Sequence, residues 1–171
     1  MKNNLLKQKG PVRRSLGEGG FTLIEILVVI GIIAILAVIV LIAINPGRQF
    51  AQSRNTQRTS NVNAILNAIG QNMADNKGVF TCAGTSAAVL DSTDRIIKYV
   101  ASPTAGATDL RPCLVPTYMS ELPYDPSAAG AHMTSATDYD TQYTVSQDAT
   151  TKRITVKATT VELSQPISLT R

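Results

Sequence analysis

Histidine occurs once in this chain, at His132, and cysteine only twice, at Cys82 and Cys113. Zinc sites draw three or four protein ligands from such residues, so metal chemistry has too few donors here. No metal and no other cofactor is expected. A nucleophile elbow, a phosphate-binding glycine loop and a zinc-binding helix pair are also missing. These absences count against a membrane-tethered enzyme, and no catalytic residues are expected. Asp138 and Asp140 are a thin set for calcium, which takes roughly 6–8 oxygens; two solvated loop carboxylates are the favoured reading and a calcium site is the alternative.

Charge is absent over a long stretch. No Asp, Glu, Lys or Arg occurs between Glu25 and Arg48, and residues 21–44 hold only Thr22 and Glu25 as polar side chains. The net charge of +4 is just as uneven. Lys2, Lys7, Lys9, Arg13 and Arg14 precede the apolar run against Glu18 alone, which accounts for the whole excess. The remainder is neutral, so the basic pI does not argue for nucleic acid. Basic residues ahead of a span mark its cytoplasmic side.

Residues 21–44 would rise about 36 Å as a helix, enough to cross a hydrocarbon core of about 30 Å with some tilt. The apolar region of a secretory signal peptide is shorter, roughly 7–15 residues, and ends in a small-x-small cleavage site. Here the run ends instead in Ile-Asn-Pro-Gly. A retained span is expected, with its amino terminus in the cytoplasm and everything after Asn45 outside. Glu25 is then the puzzle, since an ionisable group at mid-bilayer costs about 2.5–3.5 kcal/mol and needs a partner or a purpose.

Beyond the span, Cys82 and Cys113 are consistent with one disulfide closing a loop of about 30 residues. Two unpaired buried thiols are the alternative. The organisation reads as a basic leader over residues 1–20 and a membrane helix over 21–44. An amphipathic helical continuation over 45–76 and a globular head over 77–171 follow. Asn45-Pro46-Gly47 should kink or break the helix locally. Val62, Ile65, Leu66, Ile69 and Met73 then form one helical stripe, closed near Gly78.

A short helix is expected over residues 92–101, a loop over 101–137, and a hairpin from Tyr139, Thr141, Tyr143 and Val145 to Ile154, Val156 and Ala158. A third strand near residues 161–163 would lie at an edge, because Pro166 cannot extend a central strand. The fold class is α+β, with a long amino-terminal helix on a small antiparallel sheet.

The string Gly20-Phe21-Thr22-Leu23-Ile24-Glu25, behind a basic leader and ahead of an uninterrupted apolar helix, resembles the amino-terminal signature of type IV pilins and type II secretion pseudopilins. The segment Leu122-Pro123-Tyr124-Asp125-Pro126 is similar to segments that precede the sheet in major pseudopilins. The resemblance implies a prepilin peptidase and N-methyltransferase that cuts between Gly20 and Phe21 and methylates the new amine. It implies that Glu25 pairs with the Phe21 amine of a neighbouring subunit during assembly. The implied partners are identical or related pilin subunits, an inner-membrane assembly platform and the lipid bilayer. Many type IV pilins place a proline nearer the middle of the apolar helix, where this chain has only Gly31.

Two further readings stand beside this one. The first is a plain single-pass anchor on an extracytoplasmic protein, with Glu25 snorkelling at the interface. The second is a competence pseudopilin engaged in DNA uptake, although the neutral mature part gives DNA binding little support. Arg48, Arg54 and Arg58 are expected to meet lipid head groups or acidic residues of neighbouring subunits.

Overall fold

The structure is a computed structural model that describes residues 19–82, 88–102 and 104–171. The basic leader through residue 18 therefore lies outside the described residues. The chain divides into two compact units, one ending at Ile44 and the other spanning Asn45–Arg171.

In the first unit, helix α1 covers Leu23–Ile44 and every one of its residues is exposed. It is long and apolar enough to cross a membrane. Gly31 does not interrupt it.

The second unit opens with helix α2, Pro46–Asp75. The helical run is locally broken at Asn45, as expected, and Pro46 starts the new helix. At the first helical position its missing N–H costs nothing and its fixed φ suits the turn. Asn45 supplies the cap, at φ 43°, with its side-chain oxygen accepting from the Arg48 amide. At the far end the amide of Asn76 returns to the carbonyls of Asn72 and Met73, and that of Gly78 to Met73. Lys77 and Gly78 both have positive φ there, the left-handed geometry that closes many helices.

Val62, Ile65, Leu66 and Ile69 on α2 are buried against the sheet, and Met73 packs at its margin. Full burial of such side chains contributes about 1.5–3 kcal/mol each. The same face carries Ala51, Asn55, Arg58 and Asn72, all buried. Three of these are polar, so a hydrophobic pattern stops short of them although the helical period does not.

The sheet runs β2-β1-β4-β5-β6, with β3 attached to β4 alone. Its strands are β1 (Arg95–Lys98), β2 (Ala107–Thr108), β3 (His132–Ser135), β4 (Asp138–Gln147), β5 (Ile154–Ala158) and β6 (Ser168–Thr170). β4 and β5 form the expected hairpin, with Tyr143 opposite Ala158 and Val145 opposite Val156. All neighbours are antiparallel except β1 and β2, which are parallel. α2 packs across β5 and β6. The fold class is the α+β, pilin-like one read from the sequence.

Three local expectations need correction. Residues 92–101 hold strand β1 and no helix. Ile97 is fully buried while its neighbours are only half covered, and pairing with β4 decides between two structures that a short apolar run allows. Residues 161–163 are not a strand. Leu163 and Ser164 have positive φ, and the segment is held by side chains of α2, so the last strand forms after Pro166 instead. Residues 101–137 are not wholly loop, since they include β2, β3 and a short helix α3, Arg111–Leu114.

The holding contact is a buried guanidinium. Arg58 donates from Nε and Nη2 to the two oxygens of Asp125 at 2.8 and 3.1 Å, from Nη2 to Ser127 Oγ at 2.6 Å, and from Nη1 to Asn55 Oδ1 at 2.9 Å. Nη1 also lies 3.3 Å from Glu162 Oε2. An arginine has five N–H groups, and each finds a partner here. Both members of the Arg58–Asp125 pair have side chains at 0% exposure. Arg54 adds a second grip on Glu162 at 2.9 Å, and Asn55 Nδ2 donates to the Glu162 carbonyl at 2.8 Å.

Burial pushes the Asp125 carboxyl up. The Arg58 guanidinium and the amides of Ser127 and Ala128 outweigh this and hold it below its ordinary value. A carboxyl so depressed contributes fully above its unfolded pKa of about 3.9, and that contribution fades as pH falls through the folded value. Arg58→Met or Asp125→Leu alone should cost about 3–5 kcal/mol, because each strands a buried charge. The double variant should recover part of that loss. Urea denaturation followed by far-UV circular dichroism at pH 7 checks both expectations.

Candidate functional site

The amino-terminal site is built on the first turn of α1. Thr22 stands immediately before the helix and Glu25 is three residues on. Glu25 Oε2 accepts from the Thr22 amide and from its hydroxyl, both at 2.8 Å, while Thr22 Oγ1 accepts from the Glu25 amide at 3.3 Å. This reciprocal arrangement is a capping box, which satisfies two helix-end donors at once. Sequence reading singled out Glu25 and passed over its partner, although Thr-x-x-Glu ahead of an apolar run is the signature. Among the described residues no donor reaches Glu25 Oε1, so one carboxylate oxygen stays available.

Gly19, Gly20 and Phe21 precede this turn and are exposed, Phe21 at 82%. A Cβ added to Gly20 would meet nothing within 4 Å. Nothing in the fold itself therefore asks for glycine at that position. A requirement for it would have to come from a molecule that reads this segment.

Cys82 and Cys113 are joined by a disulfide, and no free cysteine occurs among the described residues. Asn72 of α2 fixes the approach to the bridge. Its Nδ2 donates to the Thr81 carbonyl at 2.9 Å, and its Oδ1 accepts from the Thr81 amide at 3.0 Å. On the other side, Tyr139 Oη donates to the buried Asp109 at 2.6 Å, tying β4 to the segment that leads into α3. Burial pushes the Asp109 carboxyl up.

Arg54 and Arg58 converge on Glu162, and Arg48 stands apart from them. Arg54 and Arg58 are engaged within the head by Glu162 and Asp125, contrary to the expectation that they face lipid or neighbouring subunits. They lie on the helix face that meets the head, where carboxylates distant in sequence reach them. Arg48 alone of the three is exposed without an ion pair among the described residues. His132, which had no evident partner in the sequence, is paired with Asp138. No group of three or more His, Cys, Asp or Glu residues that could hold a metal occurs among the described residues.

Residues 16–41 match the family described as the prokaryotic N-terminal methylation motif. The chain carries the type IV pilin and pseudopilin signature. The matched span takes in Gly20, Phe21, Thr22 and Glu25, the residues of the capping turn and its exposed approach. No curated protein and no solved structure matched the chain. The signature is one of pilin-type structural subunits, and with the apolar helix it fits membrane anchoring.

The bridge can be tested directly. Replacing both cysteines by serine should lower stability by about 3–4 kcal/mol, from the freedom regained by the unfolded chain. Denaturation of the variant beside the oxidised protein measures the difference, and non-reducing peptide mapping reports the Cys82–Cys113 link.

Proposed function

We propose that the chain is a prepilin-type subunit, cut after Gly20 and polymerised through its apolar helix into a type IV pilus or a type II secretion pseudopilus. The observation that carries this reading is α1 itself. It is an apolar helix with every residue exposed, and its single charge, Glu25, sits in the first turn under the family signature. Such a surface needs lipid or other helices around it. A polymer of like chains supplies the second once the subunit leaves the first.

Cutting after Gly20 would turn the Phe21 amide nitrogen into a cation four residues from Glu25. The capping box would survive, because the Thr22 amide remains an amide. Glu25 would keep its own helix end capped through Oε2 and present Oε1 to the methylated amine of a neighbouring copy. Removing one member of a buried pair costs about 3–5 kcal/mol, so a helix would be favoured at the depth where carboxylate and amine meet. In an otherwise greasy bundle this acts as a register device. The peptidase that cuts and methylates, the membrane assembly platform and like subunits are the partners of this scheme. The head would stand outside the cytoplasmic membrane.

Co-expression with a prepilin peptidase, followed by mass spectrometry, should give a chain that begins at methylated Phe21; an intact leader would count against processing. Glu25→Ala should still insert and be cut, yet yield few or no filaments in sheared or negatively stained fractions. A plain single-pass anchor predicts no filament from either protein. Filaments of normal yield from the variant would reject the pairing while leaving processing intact.

A further inference from the structure

His132 opens β3 and stands opposite Asp140 in the register with β4. Its ring Nδ1 lies 2.6 Å from the carbonyl oxygen of Gly130, and its Nε2 lies 3.1 Å from Oδ1 of Asp138. Gly130 has a φ of 86°, a conformation that favours glycine. Both groups that the ring reaches are acceptors. A carbonyl oxygen never donates, and an ionised carboxylate only accepts. A neutral imidazole has one N–H, so it serves one acceptor and turns a bare nitrogen towards the other. Only the imidazolium donates to both.

We propose that His132 is a proton-dependent latch that holds β3 onto β4 when charged and loosens it when neutral. β3 is suited to such control. It pairs with β4 alone, its register is broken between Met133 and Ser135, and Thr134 and Ser135 are exposed. Segments with few buried contacts and exposed backbone bonds open at low free-energy cost, so one side-chain bridge alters their opening appreciably. Met133 of this strand also forms part of the wall of a surface groove of about 580 Å³, with Leu122, Pro123, Tyr124 and Pro126. The latch therefore governs how firmly that wall is held.

The charged groups facing the ring are Asp138 and Asp140, both from β4, the only strand that β3 meets. The Gly130 carbonyl, the Asp138 bond and the field of Asp138 and Asp140 raise the imidazole above its ordinary value. The sign follows from that direction. A histidine whose folded pKa is raised stabilises the hairpin fully below the unfolded value of about 6.5. This stabilisation is lost as pH climbs through the higher folded value.

The full chain in detergent micelles provides the test, since its lone histidine gives a single imidazole C2–H resonance. A titration midpoint above about 6.5 is expected, falling towards that value in Asp138→Asn. Amide exchange at Met133, Ser135 and Tyr139, corrected for intrinsic rates, should speed up by roughly two- to fivefold between about pH 6 and pH 8, the size expected for an exposed ion pair. In His132→Gln the corrected exchange should be flat over the same range. A wild-type midpoint at or below the ordinary value overturns the proposal without any variant. A midpoint indifferent to Asp138→Asn, or the same pH response in His132→Gln, also overturns it. None of these outcomes depends on whether the chain polymerises.

Discussion

Much of the head depends on one guanidinium. Arg58 projects from α2 into a place no water reaches and spends each of its N–H groups on a partner. Asp125 and Ser127 come from the turn ahead of β3, Glu162 from the turn ahead of β6, and Asn55 from the helix itself. Two irregular segments, far apart in sequence, are thereby referred to one helical position. Neither segment lies in a strand. The Asp125 amide also donates to the Thr141 carbonyl of β4, and the Asn55 side chain to the Glu162 carbonyl. The guanidinium adds the side-chain anchor that the two share. Lysine could not replace Arg58, because a point charge with three donors cannot serve a bidentate carboxylate and three further oxygens.

The same economy operates at the amino terminus, with the opposite exposure. Glu25 is the only charge on α1 and, among the described residues, is bound by Thr22 alone. A buried ion pair in the head is complete and asks for nothing more. The carboxylate at the start of α1 commits one oxygen to the helix end, and its other oxygen meets no donor among the described residues. That contrast separates a part of the chain that finishes its own folding from a part whose surface and charge both require something else around them. In the proposed assembly a bilayer or like helices would supply the apolar surroundings, and a neighbouring chain end would supply the counter-ion.

Legibility followed the periodicity of apolar residues. Val62, Ile65, Leu66 and Ile69 announced one face of α2, and Tyr139 to Val145 with Ile154 to Ala158 announced a hairpin, because burial on one side imposes a repeat. The pattern gave no warning of Asn55, Arg58 and Asn72, which sit on the same helical face but are polar. β1 was misread as helix because Ile96 and Ile97 form a run too short for its period to be told. The capping box, by contrast, is fully legible in the residues, because Thr22 and Glu25 stand at the spacing that closes it ahead of an apolar run.

The sequence alone determined the apolar run, its lone acid, the basic leader, and the matched methylation signature, because each is a property of neighbouring residues. Tertiary structure decided which charges are spent inside the head and which remain on its surface. Arg54 and Arg58, expected to meet lipid head groups or neighbouring subunits, take their acidic partners from within the head, as does His132. Only folding brings Glu162, Asp125 and Asp138 to them, since an ion pair is set by distance in space and most of these partners are far apart along the chain.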